Sequence, residues 1–367
     1  MSDKKQRIGI LTSGGDCPGL NAVIRGVTKP ALRNDDMEII GINDGFEGMV
    51  EGKMSILDDK SVSGIINIGG TILGTSNRAD PFHYPVDNPK GVEIIDASKD
   101  VVYHYNKWEL DCLIAIGGDG TMHISNKLIK MGMNIIGVPK TIDNDLDGTD
   151  VTFGFDTARN IATEAIDRLH TTASSHHRVM VCEVMGRYAG WIALEAGIAG
   201  GGDIILLPEI PFCWEAVYDK VRRRERTGKR FSIIVVSEGA HPEGEDMVVR
   251  EKDESRTDPI QLGGIGKYVG NMVEKNTGLE SRVTVLGHLQ RGGSPSAFDR
   301  ILSTRYGTRA ITLAKEKNYN RMVALKSNEI VDIPLENAIK KQRVVSPDSQ
   351  IIQSAKLIGT CFGECLE

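Results

Sequence analysis

The chain has little that would tie it to a membrane, to nucleic acid or to a zinc site. No apolar stretch in its 367 residues approaches the length of a bilayer span. The opening Met1-Ser2-Asp3-Lys4-Lys5 is polar and lacks the apolar core of a signal peptide. Positive charge is not in excess: 44 Lys and Arg against 50 Asp and Glu leave a formal net charge of −6, which argues against a general nucleic-acid binder. The run Arg222-Arg223-Arg224-Glu225-Arg226 reads as the solvated end of an amphipathic helix. The six cysteines (Cys17, Cys112, Cys182, Cys213, Cys361, Cys365) are scattered, and no Cys/His pair stands at zinc spacing. Cys112 and Cys182 fall inside apolar runs, Cys361 and Cys365 are a weak metal or redox signal, and a reducing cytoplasm fits. Aromatics are sparse at 5%, whereas 41 glycines suit many tight loops.

What is present is a rhythm of strand, Gly-rich turn and helix. Ile8-Gly9-Ile10-Leu11-Thr12 precedes Ser13-Gly14-Gly15-Asp16 and a helix through Val27. Ile39-Ile42, Leu113-Ile116, Ile135-Val138, Val179-Val184, Ile204-Leu207 and Ser232-Val236 are further short apolar runs. Runs that are continuous rather than alternating indicate strands covered on both faces. Helical periodicity separates them, for example from Thr157 to Ser174. The pattern predicts an α/β protein: two doubly wound three-layer α/β/α domains with mainly parallel sheets, dividing near residue 154. After about Met322 come apolar runs (Ile330-Val331-Asp332-Ile333, Leu357-Ile358) without nameable chemistry, which read as packing for the second domain or an interface.

The chemistry is concentrated in loops. Pro139-Lys140-Thr141-Ile142-Asp143-Asn144-Asp145 sets two carboxylates two residues apart after a buried strand, and Gly117-Gly118-Asp119-Gly120-Thr121 follows another. Strand ends of a parallel sheet are where α/β proteins place their chemistry. Loops rich in Gly, Asp and Thr suit backbone cradling of phosphate and carboxylate binding of Mg²⁺. Three Gly-rich turns are expected to follow strands: Thr12 to Asp16, Gly69-Gly70-Thr71 through Arg78, and Gly117 to Thr121. No Gly-x-x-x-x-Gly-Lys-Ser/Thr element and no protein-kinase catalytic loop exists, so phosphate must be held by another scheme. Arg178, Arg187, Arg282 and Arg291 are candidate forks for a sugar phosphate. The pair His176-His177 reads as a loop cap rather than a metal site.

These elements resemble the 6-phosphofructokinase family. The matching stretches are Thr12-Ser13-Gly14-Gly15-Asp16-Cys17-Pro18-Gly19-Leu20-Asn21, Gly117-Gly118-Asp119-Gly120, Thr141-Ile142-Asp143-Asn144-Asp145, Met185-Gly186-Arg187 and Gly287-His288-Leu289-Gln290-Arg291-Gly292-Gly293. They stand in family order and cover most of the chain. The resemblance implies a donor domain of residues 1–154 plus 290–340 and a fructose 6-phosphate domain of residues 155–289 plus 341–367, with the active site in the cleft between them. Asp143 would be the general base for the sugar's 1-hydroxyl, and Asp119 would hold Mg²⁺ on the donor, with Asp145 in support. Gly15, Gly118, Gly120, Thr121 and Lys140 would line the donor phosphates. Thr141 would contact the transferring phosphoryl group and Arg78 would neutralise charge on it. Met185, Gly186, Arg187, Glu238, His288 and Arg291 would hold fructose 6-phosphate, Arg187 also serving catalysis. Arg178 and Arg282 would reach in from a neighbouring subunit, which implies a homo-oligomer, commonly a tetramer.

Two donor markers disagree. Family members that use pyrophosphate carry Asp where this chain has Gly120, and Lys where it has Lys140. Gly120 leaves room for a nucleotide's α-phosphate, and steric access outweighs one extra charge, so ATP is the expected donor and pyrophosphate the alternative. Phe46 is a candidate for stacking near the adenine. Ile68, His170 and Thr227 stand where regulated members have basic residues, which implies weak or absent effector control, although Arg25, Lys29 and Lys229 remain. A non-catalytic sensor on the same fold is the third reading, disfavoured because Asp119, Asp143 and Asp145 are all present.

Overall fold

The structure is a computed structural model that describes residues 5–33, 36–89, 91–252 and 260–365. Among them, eight strands form the larger sheet. In spatial order they are Glu329–Pro334, Arg321–Lys326, Ile135–Thr141, Cys112–Gly117, Gln6–Thr12, Met37–Ile42 and Met54–Ile56, with Phe153–Gly154 paired beside Ile135–Thr141. The inner pairings are parallel, and antiparallel hairpins close the two edges. The smaller sheet is wholly parallel, in the order Ile204–Leu206, Ser232–Ser237, Val179–Val184, Ser281–Val285. The α/β class with mainly parallel sheets is as the sequence predicts.

Continuous burial explains why these segments are strands. Cys112–Gly117, Val179–Val184 and Ser232–Ser237 are buried at all positions, with helices on both faces. Each fully buried Ile, Val or Leu contributes about 1.5–3 kcal/mol. One cluster of buried side chains runs unbroken from Ile8 and Ile114 in the larger sheet to Ile205 and Ile233 in the smaller. Among the helices, Phe155–His176 carries the chain from one sheet to the other, beginning after Gly154 (φ 96°) and ending at His177 (φ 56°). His177 therefore terminates a helix, as the loop-cap reading has it. The helix after the first strand outlasts Val27 and runs Leu20–Leu32, with Pro30 inside its last turn.

Asp299 joins the two halves of the fold. Fully buried near the start of the helix Ala297–Lys315, its carboxylate accepts from Gly154 N (2.9 Å), Thr157 N (2.8 Å) and Thr157 Oγ1 (2.5 Å). Three otherwise orphaned donors at the start of the connecting helix are thus satisfied. Burial pushes its pKa up to about 6 against the pull of those bonds.

Four expectations need correction. The Gly69–Arg78 turn follows no strand; it lies in the segment 57–83, which has neither helix nor strand. It is tied down instead through Asn21, whose side-chain amide donates to Ile68 O (3.0 Å) and whose Oδ1 accepts from Ile72 N (2.8 Å). Phe46 is fully buried among Leu11, Ile42 and Met49 and cannot face a nucleotide, because the chain turns inward at Gly45 (φ 65°). The run at Ile330–Ile333 belongs to the hairpin that extends the larger sheet, since Arg321 and Met322 pair with Ile136 and Gly137. Finally, Cys213 and Cys365 are disulfide-bonded (Cα–Cα 5.5 Å), a pairing the reducing-compartment reading did not anticipate. Backbone pairing of the last residues with the smaller sheet brings them together, through Cys213 N to Gly363 O (2.7 Å) and Ile205 N to Cys361 O (2.9 Å).

Asp299→Ala leaves buried amides without a partner, so urea unfolding should show a loss of about 1–3 kcal/mol; a parental midpoint would contradict this role.

Candidate active site

The order of strands creates the site. The chain leaves Gln6–Thr12 for Met37–Ile42 on one side and later adds Cys112–Gly117 on the other, so a crevice opens at the carboxyl ends of the first strand and its neighbour. Thr12 lies opposite Ile116 in register, and Ser13 N donates to Ile116 O (2.9 Å). The turns at Gly14–Gly15 and Gly117–Thr121 are therefore adjacent. Gly117 permits this because a Cβ there would lie 2.1 Å from Thr121 Oγ1. Gly118 caps the helix Asp119–Lys130, whose first-turn amides, at Asp119, Gly120 and Thr121, have no intrahelical acceptor and suit an anion. Gly14 N also donates to Ser76 O (3.2 Å) and Thr75 Oγ1 to Gly14 O (2.6 Å), which places the exposed Arg78 loop beside this turn.

The strand Ile135–Thr141 delivers the acidic turn. Thr141 Oγ1 accepts from Asp143 N (3.1 Å), and Thr152 spans the turn by bonding Thr141 O (2.7 Å) and Asn144 Oδ1 (3.0 Å). Asn144 between the two aspartates takes a left-handed conformation (φ 55°). Oδ1 of Asp143 is buried without a hydrogen-bond partner, although the residue as a whole still borders the cleft. Lys140, almost fully buried, places Nζ 2.6 Å from Gly15 O and so ties this strand to the first turn.

Electrostatics shows that these turns share one space. Burial raises the pKa of Asp143, while Arg291, Lys140 and Arg187 pull it down. Burial, then the charges of Asp143 and Asp119, pushes Asp145 up to about 7. Burial also raises Asp119, and His123, one helical turn on and 3.5 Å away, opposes this. Glu238 is pushed up to about 7 by burial and by Asp143, against Arg187 and Arg291. Carboxylates from both sheets thus meet a pair of guanidinium groups across the cleft.

The smaller sheet supplies that second wall from its own carboxyl ends. Met185-Gly186-Arg187 follows Val179–Val184, and Glu238 follows Ser232–Ser237, with Glu238 N donating to Val184 O (2.9 Å). Gly186 (φ 130°) accepts from Ser237 Oγ at 2.6 Å, and a Cβ there would meet that oxygen and Ala189 O. Arg291 closes the 3₁₀ turn Gly287–Arg291 and donates to Asp16 O (3.2 Å), bringing two loops far apart in sequence into contact; His288 of the same turn is exposed. Arg178 and Arg282 are not part of this gathering. Both sit at the amino ends of their strands, paired with Glu280, about 17–20 Å along the six-residue strand Val179–Val184 from Arg187.

Among the described residues, no group of three or more His, Cys, Asp or Glu is arranged to hold a metal ion unaided. A magnesium ion that shares its shell between one or two carboxylates and donor phosphates fits this arrangement, with Asp119 as protein ligand. The crowding of carboxylates at Asp119, Asp143 and Asp145 is what such an ion relieves.

A family model described as Phosphofructokinase matches residues 7–314. The chain belongs to the phosphofructokinase family. It is 52% identical over 366 residues to the ATP-dependent 6-phosphofructokinase of Chloroflexus aurantiacus, covering 99% of each chain. It is 50% identical over 359 residues to the ATP-dependent 6-phosphofructokinase of Spirochaeta thermophila, covering 97% of each. Among solved structures, Pichia pastoris phosphofructokinase in the T-state superposes with a TM-score of 0.77 at 31% identity, over 91% of this chain and 35% of that longer one. The residues that brace the acidic turn after Ile135–Thr141 from the chain end, Gln342 and Arg343, carry no sequence signal. His123 had one, its i,i+4 spacing from Asp119.

Because Asp145 is protonated more readily in the fold than its ordinary value allows, the folded state holds extra protons between about pH 4 and 7. Its contribution to stability is therefore lost as pH rises through about 7. Asp145→Asn, without nucleotide or Mg²⁺, should melt above the parent at pH 8, with the gap closing toward pH 5. Parallel melting curves at both pH values would contradict this.

Proposed function

We propose that the chain is an ATP-dependent 6-phosphofructokinase, transferring a phosphoryl group from ATP to the 1-hydroxyl of fructose 6-phosphate to give fructose 1,6-bisphosphate in glycolysis. The observation that carries the reading is the buried, unpartnered Oδ1 of Asp143, set between the phosphate-suited turns and Arg187 and Arg291. In this reading Asp143 takes the proton of the 1-hydroxyl as that oxygen attacks. Its two neighbouring guanidinium groups and Lys140 pull its pKa down against the larger rise that burial imposes. Thr141, Gly15, Gly118 and Thr121 position the donor phosphates, and Arg78 reaches over them from its exposed loop. Asp119, with Asp145 in support, would hold magnesium, which when bound would draw charge from those phosphates. Met185, Gly186, Arg187, Glu238, His288 and Arg291 orient the sugar. Positioning and electrostatic stabilisation supply most of the rate, since phosphoryl transfer asks little covalent chemistry of a protein.

The division into a donor domain (1–154 plus 290–340) and a sugar domain (155–289 plus 341–367) belongs to the same proposal. So does a homotetramer in the cytoplasm. The placement of Arg178 and Arg282 at the amino ends of their strands, away from Arg187, supports their use in a second subunit's sugar site. Gly120, in the first turn of the helix at Asp119, favours ATP by leaving space beside the phosphates. One observation favours pyrophosphate, the buried positive charge of Lys140; its bond to Gly15 O gives that charge a supporting role in the fold as well. Of the positions aligned with effector sites, His170 is bound to Gly200 O (2.6 Å), Thr227 to Arg223 O (3.0 Å), and Lys29 to Asp59. Weak effector control is consistent with those commitments.

With Mg²⁺ and fructose 6-phosphate, the purified protein should turn over with ATP in preference to pyrophosphate. Asp143→Ser should lower kcat by about 10²–10⁴ with sugar binding retained; an unchanged kcat would remove Asp143 from its role. Gly120→Asp should cut kcat/KM for ATP far more than for pyrophosphate, and equal effects on the two donors would overturn the steric argument.

A further inference from the structure

The turn that carries Asp143 is held from the end of the chain. Arg343 N donates to Asp145 O (2.8 Å), its Nη1 to Asn144 O (2.9 Å), and Gln342 Nε2 to Asp145 Oδ2 (3.1 Å). Leu146 and Gln342 also form an isolated antiparallel bridge. The same short segment grips the sugar side. The guanidinium of Arg343 lies 4.2 Å from the centre of the Trp191 ring, and Trp191 Nε1 donates back to Arg343 O (3.1 Å). Trp191 opens a helix four residues after Arg187. Glu209 adds a second tie, its carboxylate accepting from both Val345 N (2.8 Å) and Gly190 N (3.0 Å).

We infer that Arg343 is a positioning residue for phosphoryl transfer, a strap that fixes the Asp143–Asn144–Asp145 turn in register with the Arg187–Trp191 loop across the cleft. The inference rests on the phosphotransferase reading above. Asn144 occupies a left-handed backbone conformation that a non-glycine residue keeps only when its surroundings enforce it. Arg343 grips that residue's carbonyl and the next one's. Its planar guanidinium can donate at its edge while stacking on an indole by its face, a combination lysine lacks. A base displaced by about 1 Å from its hydroxyl can lose on the order of 10²-fold in rate. A loose turn would therefore slow the chemical step without emptying the sugar site.

The test uses the full chain as Arg343→Ala and Arg343→Lys. It measures kcat, the calorimetric Kd of fructose 6-phosphate without donor, and amide hydrogen exchange over residues 142–147. In Arg343→Ala, kcat should fall about 10–100-fold, with Kd kept within about threefold and exchange over 142–147 quickened. Arg343→Lys, which keeps the charge and one donor but not the stack, should fall between that variant and the parent. Parental kcat in a folded Arg343→Ala overturns the inference, and so does a matching loss of kcat and sugar affinity. If Arg343→Ala does not fold, Arg343→Lys decides: lowered kcat with parental Kd supports the strap, and parental kcat overturns it. An inactive parent would instead sink the functional reading. Exchange would then judge the strap alone, with unchanged rates over 142–147 ruling it out.

Discussion

Holding several carboxylates in one partly buried cleft is unfavourable, and much of the surrounding structure answers that problem. Burial disfavours the charged forms of Asp119, Asp143, Asp145 and Glu238, and the carboxylates worsen one another's position. Arg187, Arg291 and Lys140 offset part of this by charge. They do so from three separate elements, so the balance exists only once both sheets are assembled. A site of this kind is less stable than an apolar filling would be, and a bound cation relieves such strain.

The two sheets divide the work through their topology. The crevice in the larger sheet comes from the strand-order switch beside Gln6–Thr12, and the smaller sheet presents its own carboxyl ends across the cleft. Asp299 fixes the connecting helix where the chain passes between them. Arg291 and Lys140 then stitch loops that are far apart in sequence to the same Gly15–Asp16 turn. Local strand and helix formation makes the walls, and long-range polar contacts set the gap between them.

Much of this was legible in the sequence because it depends on local pattern. Continuous apolar runs marked the buried strands, and Gly-Gly-Asp motifs marked the turns after Thr12 and Gly117. Tertiary context decided what the sequence could not. Gly69–Arg78 has the composition of a post-strand turn, yet Asn21 anchors it inside an irregular segment. Phe46 looked available for stacking until an inward turn at Gly45 buried it. The Cys213–Cys365 pair and the Arg343 strap both arise where the chain end folds back over distant elements, and spacing in the sequence carries no trace of either.

The proposed reaction requires donor and sugar to occupy one cleft with their reacting atoms in contact. Paramagnetic relaxation tests it directly, using Mn²⁺ bound with a non-hydrolysable ATP analogue and fructose 6-phosphate labelled with ¹³C at C1. Strong relaxation of C1 is expected, since the reacting atoms would stand about 3–3.5 Å apart. Unenhanced relaxation with both ligands shown to be bound would place them in separate sites and contradict it.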